Sequence, residues 1–251
     1  MRRDRSEPTR AGPLDVVLAT LVHRGSRKDG SPNRPFFLAV FCAAYVLFVC
    51  TYLPINLYSV GRPAHTLFLP GERALPLIPE FEFIYVLGYA IPVLAVFAMP
   101  DSRRFAQLVT ALILTLAVAY TTYLLFPVYL ERPDLVPDSL ATRMLSLEYE
   151  DPSYNHFPSL HVAISVLAYL SSRHGLRRKW PFLALVLGVS ISTVFIKQHY
   201  VADLVYGAAL ALAAWTIARR RVRRAVAIAP LESSLQTRPR LDESPAARWG
   251  M

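Results

Sequence analysis

The sequence predicts an all-α, polytopic membrane protein with six transmembrane helices in a bundle. Of its 251 residues, 54% are hydrophobic and only 18% are charged, whereas about 25% are charged in a typical soluble domain. The apolar residues form long runs, and Lys and Arg collect between these runs. Together the three observations indicate helices that cross a lipid bilayer rather than an enlarged soluble core.

Six apolar runs account for the predicted spans: 35–60, 81–99, 105–128, 159–172, 180–196 and 201–217. A span needs about 17–25 mostly apolar residues, so the fourth run is short. It begins with Ser159 and His161, as expected if its outer end lies in a wet cavity. Pro54 and Pro92 fall inside spans, where neighbouring groups can satisfy the carbonyl that proline leaves free.

One membrane domain, 35–218, is therefore expected between two basic tails. The N-terminal tail, 1–34, contains a short apolar patch at 14–22 that is typical of an interfacial helix, and no cleavable signal peptide is evident. The C-terminal tail, 219–251, mixes Pro, Ser, Arg and Glu, and this composition predicts disorder.

The distribution of basic residues predicts the orientation. With six spans, 22 of the 27 Lys and Arg residues fall on the side of the two termini and 5 fall on the other side. Basic residues collect in the cytoplasm, so we expect a multi-pass cell-membrane protein with both termini cytoplasmic. Nucleic acid is not an expected partner, because the basic residues flank apolar segments and form no stripe interleaved with aromatic residues.

Two histidines and an aspartate are the strongest candidates for chemistry. His161 and His199 lie at the outer ends of the fourth and sixth runs, and Asp203 follows His199 by four residues. That spacing places two side chains on one face of a helix. The carboxylate can hold one imidazole nitrogen and leave the other free as a nucleophile. A purely structural His–Asp pair is the alternative, but ionisable groups at a membrane boundary favour function.

The residues before the fourth run form a helix start. Pro158 and Ser159 are typical first residues of a helix, and free N–H groups at a helix start can bind a phosphate. His161 would lie in the first turn, where it could give a proton to a leaving oxygen. The alternative is a plain N-cap beside a solvated histidine.

These residues resemble the motifs of the type 2 phosphatidic acid phosphatase superfamily. Its second motif is similar to the run from Pro158 to His161, and its third to Ser192-Thr193, five residues, His199, three residues and Asp203, with Gly207 following. The first motif of the superfamily ends in Arg-Pro, and residues 132–133 of this chain are Arg-Pro. The Pro-Ser-Leu-His and Lys-Gln-His-Tyr runs resemble the branch that contains inositol phosphorylceramide synthases.

The resemblance implies a role for each residue. His199 attacks phosphorus and becomes a phosphohistidine, Asp203 orients it, and His161 protonates the leaving group. Four residues are expected to hold the phosphoryl oxygens: Arg132, Ser159, Lys197 and Ser192. Two cations of the family pattern are absent, because Leu125 and Thr193 stand in their places; Lys197 is the candidate replacement.

The leading hypothesis is a metal-independent lipid phosphatase that acts on the extracytoplasmic leaflet, with membrane lipids as partners and no cofactor. A head-group phosphotransferase with a lipid alcohol as acceptor, and a catalytically silent lipid-binding or transport bundle, are the alternatives. A metal site at Asp151, His156 and His161 fits no tight zinc spacing. Glu72 and Glu82 are expected on a solvated rim, and Tyr85 and Tyr89 as interfacial anchors. The head group, the lipid tail and the oligomeric state stay open.

Overall fold

The computed structural model describes residues 12–236, and side chains through residue 228. Within that range the chain is helical and contains no strand. Its α-helices are α1 (Pro13–Arg24), α2 (Arg34–Ser59), α3 (Glu82–Tyr85), α4 (Ala90–Ala98), α5 (Ser102–Leu125), α6 (Leu140–Glu148), α7 (Leu160–Ser172), α8 (Trp180–Phe195) and α9 (Val201–Gln236). The parts of the two predicted tails at 1–11 and 237–251 lie outside the described residues.

Four helical segments in the described chain are long and apolar enough to cross a membrane. They are Arg34–Ser59, Pro79–Ala98, Ser102–Leu125 and Val201–Ile228. The second is a continuous run of α and 3₁₀ turns that includes α3 and α4. Helices α7 and α8 are also apolar but have only 13 and 16 residues. The predicted all-α class is thus confirmed, and four segments are candidate membrane spans by length and composition; the predicted count of six spans is not confirmed.

Small residues bring the central helices together. Helices α5, α7 and α9 pack against each other, and their shared core contains Ala111, Ala163, Ala211 and Ala214, all nearly or fully buried. Small side chains let helix backbones approach closely, which is the main source of helix association in lipid. By contrast, α2 lies at the edge and exposes large apolar side chains such as Val46 and Leu47, as expected for a helix that faces lipid.

The two ends of the described chain compare differently with expectation. Helix α9 continues to Gln236, so residues 219–236, which were expected to be disordered, are helical; the domain boundary at 218 stays a prediction. The apolar patch at 14–22 does form a helix, α1. That helix packs against α5 and α9, with Leu18 buried beside Ala106 and Val222.

Three loops and α6 cover the end of the bundle that carries the candidate residues. Isolated β-bridges join His65 to Val128 and Val128 to Asn155, and these bridges tie the three loops together. Glu72 and Glu82 are buried rather than on a solvated rim. The carboxylate of Glu72 accepts the N–H of Leu69 and of Val201, so it fixes a loop to the start of α9.

Candidate active site

A cavity of about 250 Å³ opens between α2, α4, α5 and α7. One part of its lining is apolar and consists of side chains from the helices, including Phe41, Phe48, Leu108, Leu112, Leu116 and Ile164. The other part is polar and includes Arg132, Glu148, Asp151, Asn155, His156, His161, Gln198 and His199. The cavity is therefore amphipathic, with its polar end under the three loops.

His199 and Asp203 form the predicted pair. Nδ1 of His199 lies 3.2 Å from Oδ2 of Asp203, and the same carboxylate oxygen accepts the backbone N–H of Tyr200 at 2.9 Å. His199 stands two residues before α9 begins, and the pair forms across the helix start. With Nδ1 held by the carboxylate, Nε2 is the nitrogen left for chemistry. Burial, and then the positive charge of Arg132, lower the pKa of His199 to about 3, so the imidazole is neutral at neutral pH.

His161 is the second residue of α7 and faces His199. Their ring centroids are 5.7 Å apart, so the structure brings the two predicted histidines together at one cavity. The hydroxyl of Tyr85 lies 2.8 Å from Nε2 of His161. Tyr85 is only 2% exposed, so it is a buried partner of His161 and not the interfacial anchor that the sequence suggested.

A backbone contact between α7 and α9 sets the relative position of these groups. The N–H of Ser159 donates to the carbonyl of Asp203 at 3.2 Å. Gly207, one turn further along α9, lies against the same residue: a Cβ there would meet the Ser159 carbonyl oxygen at 2.5 Å. Glycine is thus the residue that allows this close approach.

Arg132 is the cationic side chain at the polar end of the cavity. Its Nη1 donates to the carbonyls of Asp151 at 2.7 Å and Tyr149 at 3.2 Å, and its Nη2 donates to Oε1 of Gln198 at 2.7 Å. The guanidinium also lies over the Tyr149 ring, 4.9 Å from its centroid. These contacts fix the guanidinium beside His199 without neutralising its charge.

The other three predicted phosphate ligands have structural contacts. The fully buried hydroxyl of Ser159 caps α7 by accepting the N–H of Val162. The hydroxyl of Ser192, also fully buried, donates to the Val189 carbonyl of its own helix. Nζ of Lys197 donates to the carbonyl of Leu75 at 2.7 Å. None of the three is among the residues that line the cavity.

Sequence reasoning gave no catalytic or phosphate-binding role to several residues of the polar end. Glu148 accepts the hydroxyl of Tyr89, and Asp151 accepts the hydroxyl of Tyr52 and Nδ2 of Asn56. No spacing rule links these residues, because α2, the turn before α4, and the end of α6 with the loop after it are far apart in the chain. Asp151 and His156 were considered from the sequence only as ligands of a metal site that fits no tight zinc spacing.

His156 extends the histidine cluster but adds no metal site. Its ring packs edge-on against His199, with centroids 5.5 Å apart, and its Nε2 lies 3.1 Å from Oγ of Ser153. Burial lowers the pKa of His156 well below its ordinary value. Among the described residues, no group of three or more His, Cys, Asp or Glu side chains is arranged to hold a metal ion.

Fold and site together define a helical membrane protein with two histidines and an aspartate at the polar end of an amphipathic cavity. Residues 108–227 match the family model described as the PAP2 superfamily. The matched region contains Arg132, His161, His199 and Asp203, and it agrees with the superfamily that the motifs predicted. No curated protein and no solved structure matches the chain.

Proposed function

We propose that this chain is an integral membrane lipid phosphatase of the PAP2 type that acts through a phosphohistidine. One observation carries the proposal: His161, and His199 with its partner Asp203, meet at the polar end of a cavity whose other part is apolar. Such a cavity suits a phosphate ester whose tail lies among the helices and whose phosphate lies beside the histidines.

The reaction would proceed in two steps on one phosphorus atom. Nε2 of His199 attacks phosphorus, the N–P bond forms, the ester P–O bond breaks, and His161 gives its proton to the leaving oxygen. Water then attacks phosphorus while His161 takes its proton, and the N–P bond breaks. Asp203 stabilises the cationic imidazole of the intermediate, and Arg132 stabilises the negative phosphoryl oxygens.

Lipid phosphates presented to the purified protein in detergent micelles test the proposal. Phosphate release is expected from the wild type and not from His199→Ala or His161→Ala. An acid-labile, base-stable phosphoenzyme should form in the wild type only. If the wild type neither releases phosphate nor transfers a head group on a broad lipid panel, the proposal fails and a silent lipid-binding or transport bundle is favoured.

A head-group phosphotransferase of the inositol phosphorylceramide synthase type is the second candidate. This candidate is favoured because two cations of the family pattern are absent from the site. Leu125 stands in place of one and is 79% exposed on the outside of α5. Thr193 stands in place of the other, and its hydroxyl donates to the Ser190 carbonyl within α8. A diester donor carries less negative charge than a monoester and needs fewer cations. Incubation with head-group-labelled phospholipid and candidate lipid alcohols separates the two, because a transferase places the label on the alcohol instead of in water.

The membrane arrangement belongs to the same proposal. Counting α7 and α8 as spans gives six, places both termini in the cytoplasm and puts the cavity's polar end on the extracytoplasmic side. The bias of 22 basic residues against 5 supports this orientation. The two native cysteines are first removed as Cys42→Ser and Cys50→Ser. In that background, an impermeant maleimide added to intact cells should label Val136→Cys and should not label Arg177→Cys. The reverse labelling would refute the proposed orientation.

A further inference from the structure

The charged groups at the polar end of the cavity form no direct ion pair with one another in the described part of the chain. One cation, Arg132, and two carboxylates, Glu148 and Asp151, line the same space. Yet the single acid–base contact within 4 Å found in the described part of the chain is that of His199 with Asp203. The site therefore offers an unpaired cation and two unpaired anions side by side.

The hydrogen bonds of these groups explain why the charges stay unpaired. The guanidinium of Arg132 is directed to main-chain carbonyls and to Gln198, so it binds the carbonyl of Asp151 and not its carboxylate. The two carboxylates accept only from neutral donors, namely two tyrosine hydroxyls and one amide. Burial raises the pKa of both Glu148 and Asp151, while these hydrogen bonds and the positive charge of Arg132 lower it, so a cation bound beside the two carboxylates would further favour their charged forms.

A second observation points to a ligand with a hydrogen-bond donor. Asn155 lines the cavity and is only 3% exposed, and its Oδ1 is a buried acceptor that receives no hydrogen bond from the described residues. A buried acceptor without a partner is unfavourable, and buried polar groups usually have a hydrogen-bond partner, which a donor on a bound ligand would supply here. The rings of Tyr52 and Tyr89 also line this space, and the faces of aromatic rings attract cations.

We propose that the polar end of the cavity selects a lipid phosphodiester whose head group carries an ammonium group. This inference rests on the phosphohistidine chemistry of the proposed function and deepens its second candidate, the phosphotransferase, because a single attack on a diester releases no inorganic phosphate. Turnover of a diester is therefore measured as head group released to water or transferred to an alcohol. The phosphate lies at Arg132 and His199, and the ammonium group lies against Glu148, Asp151 and Asn155. A monoester would bring about two negative charges beside two carboxylates, whereas a zwitterionic head group matches the cation and the anions at once.

Three lipids with the same acyl chains test the inference in micelles of an uncharged detergent. They are phosphatidylethanolamine, phosphatidylglycerol, which is a diester with a hydroxyl in place of the ammonium group, and phosphatidic acid, a monoester. For the wild type, kcat/KM is expected to be about tenfold or more higher for phosphatidylethanolamine than for the other two, the scale of one desolvated cation contact. Equal values, or a preference for either of the others, would overturn the inference.

Glu148→Gln is the sharpest variant, because Glu148 contacts Tyr89 alone among the hydrogen-bond donors of the described chain. It is expected to reduce the preference for phosphatidylethanolamine over phosphatidylglycerol about tenfold while the thermal unfolding temperature stays unchanged. Glu150→Gln is the matched control, since Glu150 is exposed and does not line the cavity. An unchanged preference in Glu148→Gln would also refute the inference.

The readouts separate failure of this inference from failure of the proposed function. If the wild type turns over phosphatidic acid or phosphatidylglycerol at least as well as phosphatidylethanolamine, and His199→Ala does not, the proposed function is supported and the ammonium preference is refuted. If no lipid is turned over, calorimetric titration of the wild type with dihexanoyl phosphatidylethanolamine and dihexanoyl phosphatidylglycerol tests whether the cavity recognises the ammonium group. Tighter binding of the first supports the recognition site, and equal binding overturns it.

Discussion

Gly207→Ala is expected to impair the candidate site although Gly207 bears no side chain. The added Cβ would lie 2.5 Å from the carbonyl oxygen of Ser159, whereas ordinary contact begins at 3.4 Å. The start of α7 must therefore retreat by about 0.9 Å, and His161 moves with it. Overpacking of this kind typically destabilises a protein by about 1–3 kcal/mol, and a misplacement of about 1 Å at reacting groups can reduce the rate about 10²-fold.

Gly188→Ala is the matched control for this prediction. Gly188 also lies in an apolar helix, α8, but a Cβ there meets only Cγ2 of Ile84 at 3.4 Å. Because alanine favours a helix over glycine by about 0.5–1 kcal/mol, this variant should be neutral or slightly stabilised. Lipid phosphate turnover and thermal unfolding in the same detergent measure both effects. If Gly207→Ala matched the wild type in rate and unfolding temperature, the close approach of α7 and α9 would not control the site.

Three further predictions concern the charged and titrating groups. Asp203→Asn should lower kcat by about 10²–10⁴-fold, because the imidazole loses its orienting carboxylate. The phosphoenzyme should still form, but slowly, and rapid-quench measurement of phosphoenzyme against time checks this. Arg132→Lys should lower kcat/KM about 10²-fold, since an ammonium group cannot keep the contacts to Gln198 and to two carbonyls, and a rate equal to the wild type would contradict it. Because the pKa of His199 is lowered to about 3, kcat/KM should show no loss from this group as pH falls from 7 to 5. The unfolded imidazole titrates near 6.5 and takes up protons that the folded one does not. Unfolding should therefore become easier below about pH 6.5 in the wild type, and this dependence should weaken in His199→Ala.

The elements that depend on local pattern could be predicted from the sequence. The run 159–172 corresponds to α7 at Leu160–Ser172, and the run 180–196 corresponds to α8 at Trp180–Phe195, because apolar runs and an N-cap serine are local signals. The end of α9 was not predictable in this way. After the apolar run ends, the basic residues 219–224 were assigned to a tail by composition, but arginine and alanine also favour helix.

In the candidate site, too, some contacts could be predicted from sequence spacing and others could not. The pairing of His199 with Asp203 follows from a spacing of four residues, and the meeting of His161 with His199 follows from motifs at the ends of two spans. The contact of Tyr85 with His161 was not foreseen, since it joins residues 76 positions apart. Spacing also could not show which way a side chain turns, and both Ser192 and Lys197 bond to main-chain carbonyls instead of lining the cavity.

The length of α9 has a practical consequence for handling this protein. Its 36 residues extend about 54 Å, well beyond the roughly 30 Å of a bilayer's hydrocarbon interior. The part farthest from the cavity is therefore expected to stand in water, and its apolar side is covered by α1, where Leu18 packs against Ala106 of α5 and Val222 of α9. A chain trimmed to start at Arg34 would uncover that apolar strip and should aggregate when extracted from the membrane. Shortened versions for crystallisation should therefore keep every residue from Pro13 onward.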